Sequence, residues 1–119
     1  MRLLIICLGL LAAATASAGE ADVVAVEAHR ASDGTWRFDV AVRHDDTGWE
    51  HYADRWDVVA PDGTVLGERV LLHPHENEQP FTRSLGGVVV PEGVTKVTVR
   101  AHDSEHGLGG QTMEVTLDE

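Results

Sequence analysis

Residues 35–44, TWRFDVAVRH, alternate with a period of two. Trp36, Phe38, Val40 and Val42 point one way; Thr35, Arg37, Asp39 and Arg43 point the other. That is the pattern of a β-strand with one apolar face. The same alternation recurs in RWDVVA (Trp56, Val58, Ala60), TKVTVRAH (Val97, Val99, Ala101) and TMEVTL (Met113, Val115, Leu117). With DVVAVEA, TVLGERVLL and PFTRSL it makes seven candidate strands, and no stretch after residue 18 sustains a helical period. One-faced strands must lay their apolar sides against a second sheet. Seven short strands at this spacing predict an all-β fold, a single immunoglobulin- or fibronectin type III-like β-sandwich.

The connections alternate in kind. SDGT, PDGT and VPEGV are tight turns, in which Gly supplies positive φ and Pro or Asp the first turn positions. HDDTGWEHYAD, HPHENEQP and HDSEHGLGG are longer and rich in histidine and carboxylate. Strands running alternately up and down place every second connection at the same end, so the three long loops are expected to share one pole. His44, His51, His73, His75, His102 and His106 all lie on or beside those loops, and only His29 falls elsewhere. GLGG, between the last two strands, is expected to be a flexible loop. Trp36 and Trp56 are in phase with the core, whereas Trp49 and Tyr52 fall in the first long loop.

The first eighteen residues, MRLLIICLGLLAAATASA, combine Arg2, an apolar run and small residues at Ala16 and Ala18. This reads as a secretory signal peptide (1–18) followed by the sandwich domain (19–119), and hence as a periplasmic or secreted protein without membrane insertion. The one cysteine, Cys7, lies in the leader, so the domain has no disulfide. About 100 residues suffice for one core without such staples. The formal charge is −11, and removal of Arg2 with the leader makes it −12. No basic patch remains to follow a phosphate backbone or an anionic membrane, which excludes nucleic acid as a partner.

The loop chemistry points to a metal ion. In His73-Pro74-His75 the proline pushes His73 into an extended conformation, and residues i and i+2 of an extended segment share a side. The two imidazoles then converge on one ion, or each joins ligands from another loop. Imidazole suits zinc, copper, iron and nickel. With no thiolate in the domain and Met113 on a core face, Cu(II) or Zn(II) is expected over cuprous ion, with iron the weaker alternative. Glu50, Glu76, Glu78 and Asp103 are candidates for supporting carboxylates that orient the histidines. Arg69 and Arg83 flank the acidic segment, and salt bridges to Glu76 and Glu78 are the competing role for these glutamates. The loops lack the alternating Asp/Asn of a calcium site. Neither Ser84 nor Ser104 sits in a nucleophile elbow, and no glycine-rich phosphate loop opens a helix.

HDDTGWEHYADRW is similar to the His-x-x-x-x-Glu-His-Tyr stretch of the superoxide reductases, the desulfoferrodoxin-like proteins, and SEHGL resembles the segment where a Cys-Asn-x-His-Gly run supplies their axial cysteine and one histidine. Those proteins are immunoglobulin-like sandwiches holding iron with four histidines and a cysteine. The resemblance implies His44, His51 and His106 as ligands. Asp103 stands where the family has its cysteine, and His44 and His51 are one residue further apart than in the family. The run HPHENEQPFTRSLGG also resembles uncharacterised secreted bacterial proteins, which implies no activity.

Two functions fit this pattern. One is a small metal-binding domain with ligands drawn from the six histidines of the three long loops. The other is a metal-free module presenting those loops to a periplasmic protein or a glycan, with the histidines as a pH switch below about pH 6.5. Convergence of the imidazoles separates the two.

Overall fold

The computed structural model describes residues 20–118; the predicted leader lies outside the described residues. Seven strands form in the expected places: β1 (Asp22–Arg30), β2 (Trp36–Arg43), β3 (Ala53–Val59), β4 (Val65–Val70), β5 (Phe81–Val88), β6 (Lys96–Asp103) and β7 (Met113–Thr116). They make two antiparallel sheets, one in the order β1-β2-β5 and the other β4-β3-β6-β7. The all-β sandwich read from the alternation is therefore present. Trp36, Phe38, Val40 and Val42 of β2 face Trp56 and Val58 of β3 and Val97, Val99 and Ala101 of β6 in one buried cluster. Burying Trp56, Phe38 and Phe81 in full contributes roughly 1.5–3 kcal/mol each.

The tight turns close one end with a repeated device. In both ASDGT and APDGT the glycine takes positive φ, and the aspartate accepts a hydrogen bond from the threonine N–H two residues on (2.9 Å for Asp33 and for Asp62). These backbone bonds hold the carboxyls of Asp33 and Asp62 below the usual carboxylate range.

At the opposite end the long connections, residues 44–52, 71–80 and 104–112, are tied to one another. The His75 N–H donates to Asp46 Oδ2 (2.5 Å), and the His44 N–H donates to Gln79 Oε1 (2.8 Å). Gln79 Nε2 in turn donates to the His75 carbonyl (2.9 Å). Tyr52 and Ser104 exchange two bonds, Ser104 N–H to the Tyr52 carbonyl (2.9 Å) and Tyr52 N–H to Ser104 Oγ (3.0 Å). The loops share a pole, as strand alternation requires.

The GLGG segment ends in a tight contact with the start of β1. Gln111 N–H donates to Asp22 Oδ1 (2.7 Å), and the Gln111 carbonyl accepts from Val23 N–H (2.9 Å). The chain is thereby drawn against the start of β1 so closely that a Cβ on Gly110 would overlap the Ala21 carbonyl. Glycine is needed there for close approach.

Candidate metal centre

Two strands carry their alternation one step past the apolar core, and polar residues occupy the final inward positions. In β2 the buried series Val40, Val42 continues to His44 and then Asp46; in β6 the series Val97, Val99, Ala101 ends at Asp103. His44, Asp46 and Asp103 consequently lie at the inner edge of the pole, with side chains 0% exposed. His51 descends from the 44–52 loop, whose reversal at Gly48 (φ 120°) is closed by the His51 N–H to the Gly48 carbonyl (3.2 Å).

Three side chains meet there. His44 Nε2 is 2.8 Å and His51 Nε2 3.0 Å from Asp103 Oδ1. The two rings lie edge to face, with centroids 4.8 Å apart. Ligands ~2.1 Å from one ion sit roughly 3.0 Å apart when adjacent in an octahedron and 3.4 Å in a tetrahedron. The spacing about Asp103 Oδ1 thus matches that of a coordination shell.

Outer contacts fix which atoms face the centre. His44 Nδ1 is 2.5 Å from Asp46 Oδ1, which also accepts from the Ala53 N–H (3.2 Å). A carboxylate on Nδ1 holds the proton there and leaves the Nε2 lone pair facing Asp103, as in carboxylate–histidine–metal arrangements. Asp103 Oδ2 accepts from the His106 N–H (2.6 Å) and approaches His51 Nε2 (3.1 Å). Despite their 2.8 Å separation, His44 Nε2 and Asp103 Oδ1 make no directed hydrogen bond among the described residues. A lone pair pressed against a carboxylate in a buried site is unfavourable, and either a proton on Nε2 or a metal ion between the two groups relieves it. The donor set therefore fits a metal ion.

Of the residues expected from sequence, His44, His51 and Asp103 come together. His106 lies beside them on the surface, its ring 5.0 Å from that of His51, and the 104–112 turn brings Glu105 Oε1 to 3.8 Å from His51 Nδ1. His51, Glu105 and His106 form a second, outer group. Asp103 is an immediate neighbour of both imidazoles rather than a distant supporting carboxylate.

The other expected ligands lie elsewhere. His102 is one residue out of phase with Val97, Val99 and Ala101, so it leaves the outer face of its sheet and pairs with Asp54 (2.6 Å). His73 is exposed, with Nδ1 3.2 Å from the Pro74 carbonyl. His75 does share a side with it, at 4.7 Å between centroids, but turns inward to stack on Phe81 (4.0 Å, 9°). Neither His75 ring nitrogen has a hydrogen-bonding partner among the described residues. Burial, then the neighbouring charges of Arg83 and His73, push His75 below the ordinary histidine value. Glu78 meets Arg83 (3.4 Å), the competing salt bridge read from sequence, while Glu50 and Glu76 are exposed beside Gly48.

Asp46 and Glu105 are the residues the sequence reading missed. His44-Asp45-Asp46 has the same i, i+2 relation as His73-Pro74-His75, and applying that geometry to both would have found Asp46. A third acid–histidine group, Glu27, His29 and Asp39, lies on the outer face of β1 and β2. There Asp39 already accepts from Ser84 Oγ (2.6 Å) and Arg37 Nη2 (3.1 Å), which together hold its carboxyl below the usual range.

No known family profile matches the chain. A protein of Halomicrobium mukohataei named "Putative lipoprotein" is 49% identical over 99 residues. The match covers 83% of this chain and 48% of that protein, so the chain spans about half the length of its curated relative. Among solved structures, a hypothetical protein of Pyrococcus horikoshii OT3 aligns at a TM-score of 0.52 with 18% identity, covering 84% of this chain and 90% of that one. This likeness concerns the fold. The superoxide reductase (1Fe-SOR) of Giardia intestinalis aligns at a TM-score of 0.48 with 15% identity, over 81% of this chain and 99% of that one.

Proposed function

We propose that this protein is a small extracytoplasmic metal-binding domain that holds one divalent first-row ion with His44 Nε2, His51 Nε2 and Asp103. The observation that carries the reading is the buried approach of His44 Nε2 to Asp103 Oδ1 at 2.8 Å without a directed hydrogen bond. Asp46 serves as the carboxylate that keeps His44 in the coordinating tautomer. Two imidazoles and a carboxylate suit Zn(II) and Fe(II) and accommodate Cu(II), while the hard oxygen of Asp103 disfavours cuprous ion. The location rests on the leader-like residues 1–18 and on the lipoprotein name of the relative. Bound metal would neutralise the charge converging at this pole, and the domain would then store, carry or present the ion.

Calorimetric titration of the purified metal-free protein with Zn(II) tests this. One ion with Kd below about 1 μM, near −8 kcal/mol, is expected. His51→Ala and Asp103→Asn should each weaken it at least about tenfold while retaining the far-UV spectrum of the sheet. Absence of saturable binding, or binding unaffected by both substitutions, overturns the proposal.

A further inference from the structure

His51 is the one member of the inner group whose side chain reaches solvent. The side chains of His44 and Asp103 are 0% exposed, whereas that of His51 is 19% exposed. The His51 ring is therefore the exposed edge through which an ion reaches Asp103 Oδ1. That same ring belongs to the outer group, and it presents a different nitrogen to each side. Nε2 lies 3.0 Å from Asp103 Oδ1, and Nδ1 lies 3.8 Å from Glu105 Oε1. Glu105 is 60% exposed and His106 is exposed, so the outer group opens to solvent. Its candidate ligand atoms lie within 4.8 Å of one another, a span that exposed side chains close by rotation. The His106 backbone is itself held by Asp103 Oδ2 (2.6 Å), which anchors the outer group directly above the inner one.

We infer that His51, Glu105 and His106 form a capture station for divalent cations, from which the ion is handed inward around the His51 ring to His44 and Asp103. This inference rests on the proposed inner centre and adds its route of loading and release. A hydrated cation exchanges its first waters for Glu105 and His106 at the surface. The His51 imidazole serves the two positions in turn: with Nδ1 on the ion, Nε2 carries the proton, and as the ion moves inward solvent water takes that proton and returns one to Nδ1, which frees the Nε2 lone pair for the inner position.

A station on the path, unlike a ligand of the resting ion, lowers the barrier in both directions. Removing it slows association and dissociation by the same factor and leaves the equilibrium constant unchanged. The test is stopped-flow loading of the purified protein with Zn(II), and unloading into a chromogenic chelator, for wild type and Glu105→Gln/His106→Ala. Glu76→Gln serves as control because it removes one carboxylate from the same pole outside the outer group. The expected result is a roughly tenfold slowing of both rates in the double variant. One bound ion and an unaltered Kd should accompany it, with rates in Glu76→Gln close to wild type.

Faster release with weaker binding would make His106 or Glu105 a ligand of the held ion and overturn the inference. A second stoichiometric ion in wild type would make the outer group a site in its own right, with the same consequence. Equal slowing in Glu76→Gln would reduce the effect to general charge. Unchanged rates would refute the station while leaving the inner centre standing, whereas failure of wild type to bind Zn(II) refutes both.

Discussion

Asp46→Asn separates a structural carboxylate from one that sets the chemistry of the site. Asp46 accepts from three buried donors: His44 Nδ1–H and the Ala53 N–H on Oδ1, and the His75 N–H on Oδ2. The amide has the same shape but only one acceptor oxygen. If that oxygen takes the Oδ1 position, the amide NH2 faces the His75 N–H and one buried donor is left unpaired. If it takes the Oδ2 position, the NH2 faces the Ala53 N–H and donates to His44 Nδ1. The His44 proton then moves to Nε2 and points at Asp103 Oδ1. Either arrangement costs about 1–3 kcal/mol of folding stability, the penalty for one unsatisfied buried donor. Either also weakens His44 as a ligand, through loss of the charged acceptor or through a proton that the metal must displace. Outer-shell substitutions of this kind cost about 10- to 100-fold in metal affinity, or about 1.4–2.8 kcal/mol. Urea unfolding of the metal-free protein measures the first effect, and competition with a chelator of known Zn(II) affinity measures the second. A destabilised variant whose Zn(II) affinity equals wild type would refute the assignment of Asp46 as the residue that selects the coordinating nitrogen.

His75→Phe should stabilise the protein by about 1–2 kcal/mol at pH 7, because it replaces a buried ring whose nitrogens make no hydrogen bond, Nδ1 lying 4.0 Å from Asp46 Oδ2, by an apolar ring against Phe81. It should also flatten part of the pH dependence. The folded-state value of His75 is depressed, so as pH falls below about 6.5 the unfolded chain takes the proton first and wild type loses up to about 1.4 kcal/mol per pH unit from this residue. Chemical unfolding at pH 7.0, 6.0 and 5.0 reads the difference, and parallel curves for the two proteins would contradict it. Gly110→Ala should destabilise by roughly 1–3 kcal/mol, because its Cβ overlaps the Ala21 carbonyl; an unchanged urea midpoint would show that the 104–112 connection yields freely. His73→Ala and His102→Ala should each leave Zn(II) affinity within about twofold of wild type, a change of roughly 0.4 kcal/mol, since neither ring joins the inner group. A tenfold loss in either calorimetric titration would move the centre away from Asp103.

The amino-acid sequence by itself determined the strands and the pole. Alternation is a local property, and the turn residues of ASDGT and APDGT carry their own geometry, so seven strands and two kinds of connection could be read without any long-range contact. Up-and-down order then placed the histidine-rich loops at one end. Phase carried further than it was used, since Val40, Val42, His44 and Asp46 form one inward series and Val97, Val99, Ala101 and Asp103 another. Reading those series to their last members would have placed His44 inside and His102 outside.

Only the tertiary structure decided which inward residues meet. His51 and Asp103 are 52 positions apart, and their contact depends on β3 pairing with β6 in the register Ala53↔Asp103. That register belongs to two strands paired within one sheet but far apart in sequence, and no local pattern contains it. The fate of the His73-Pro74-His75 pair was likewise settled by packing. The extended geometry held, but Phe81 offered one imidazole an apolar face, and stacking drew that ring away from the centre.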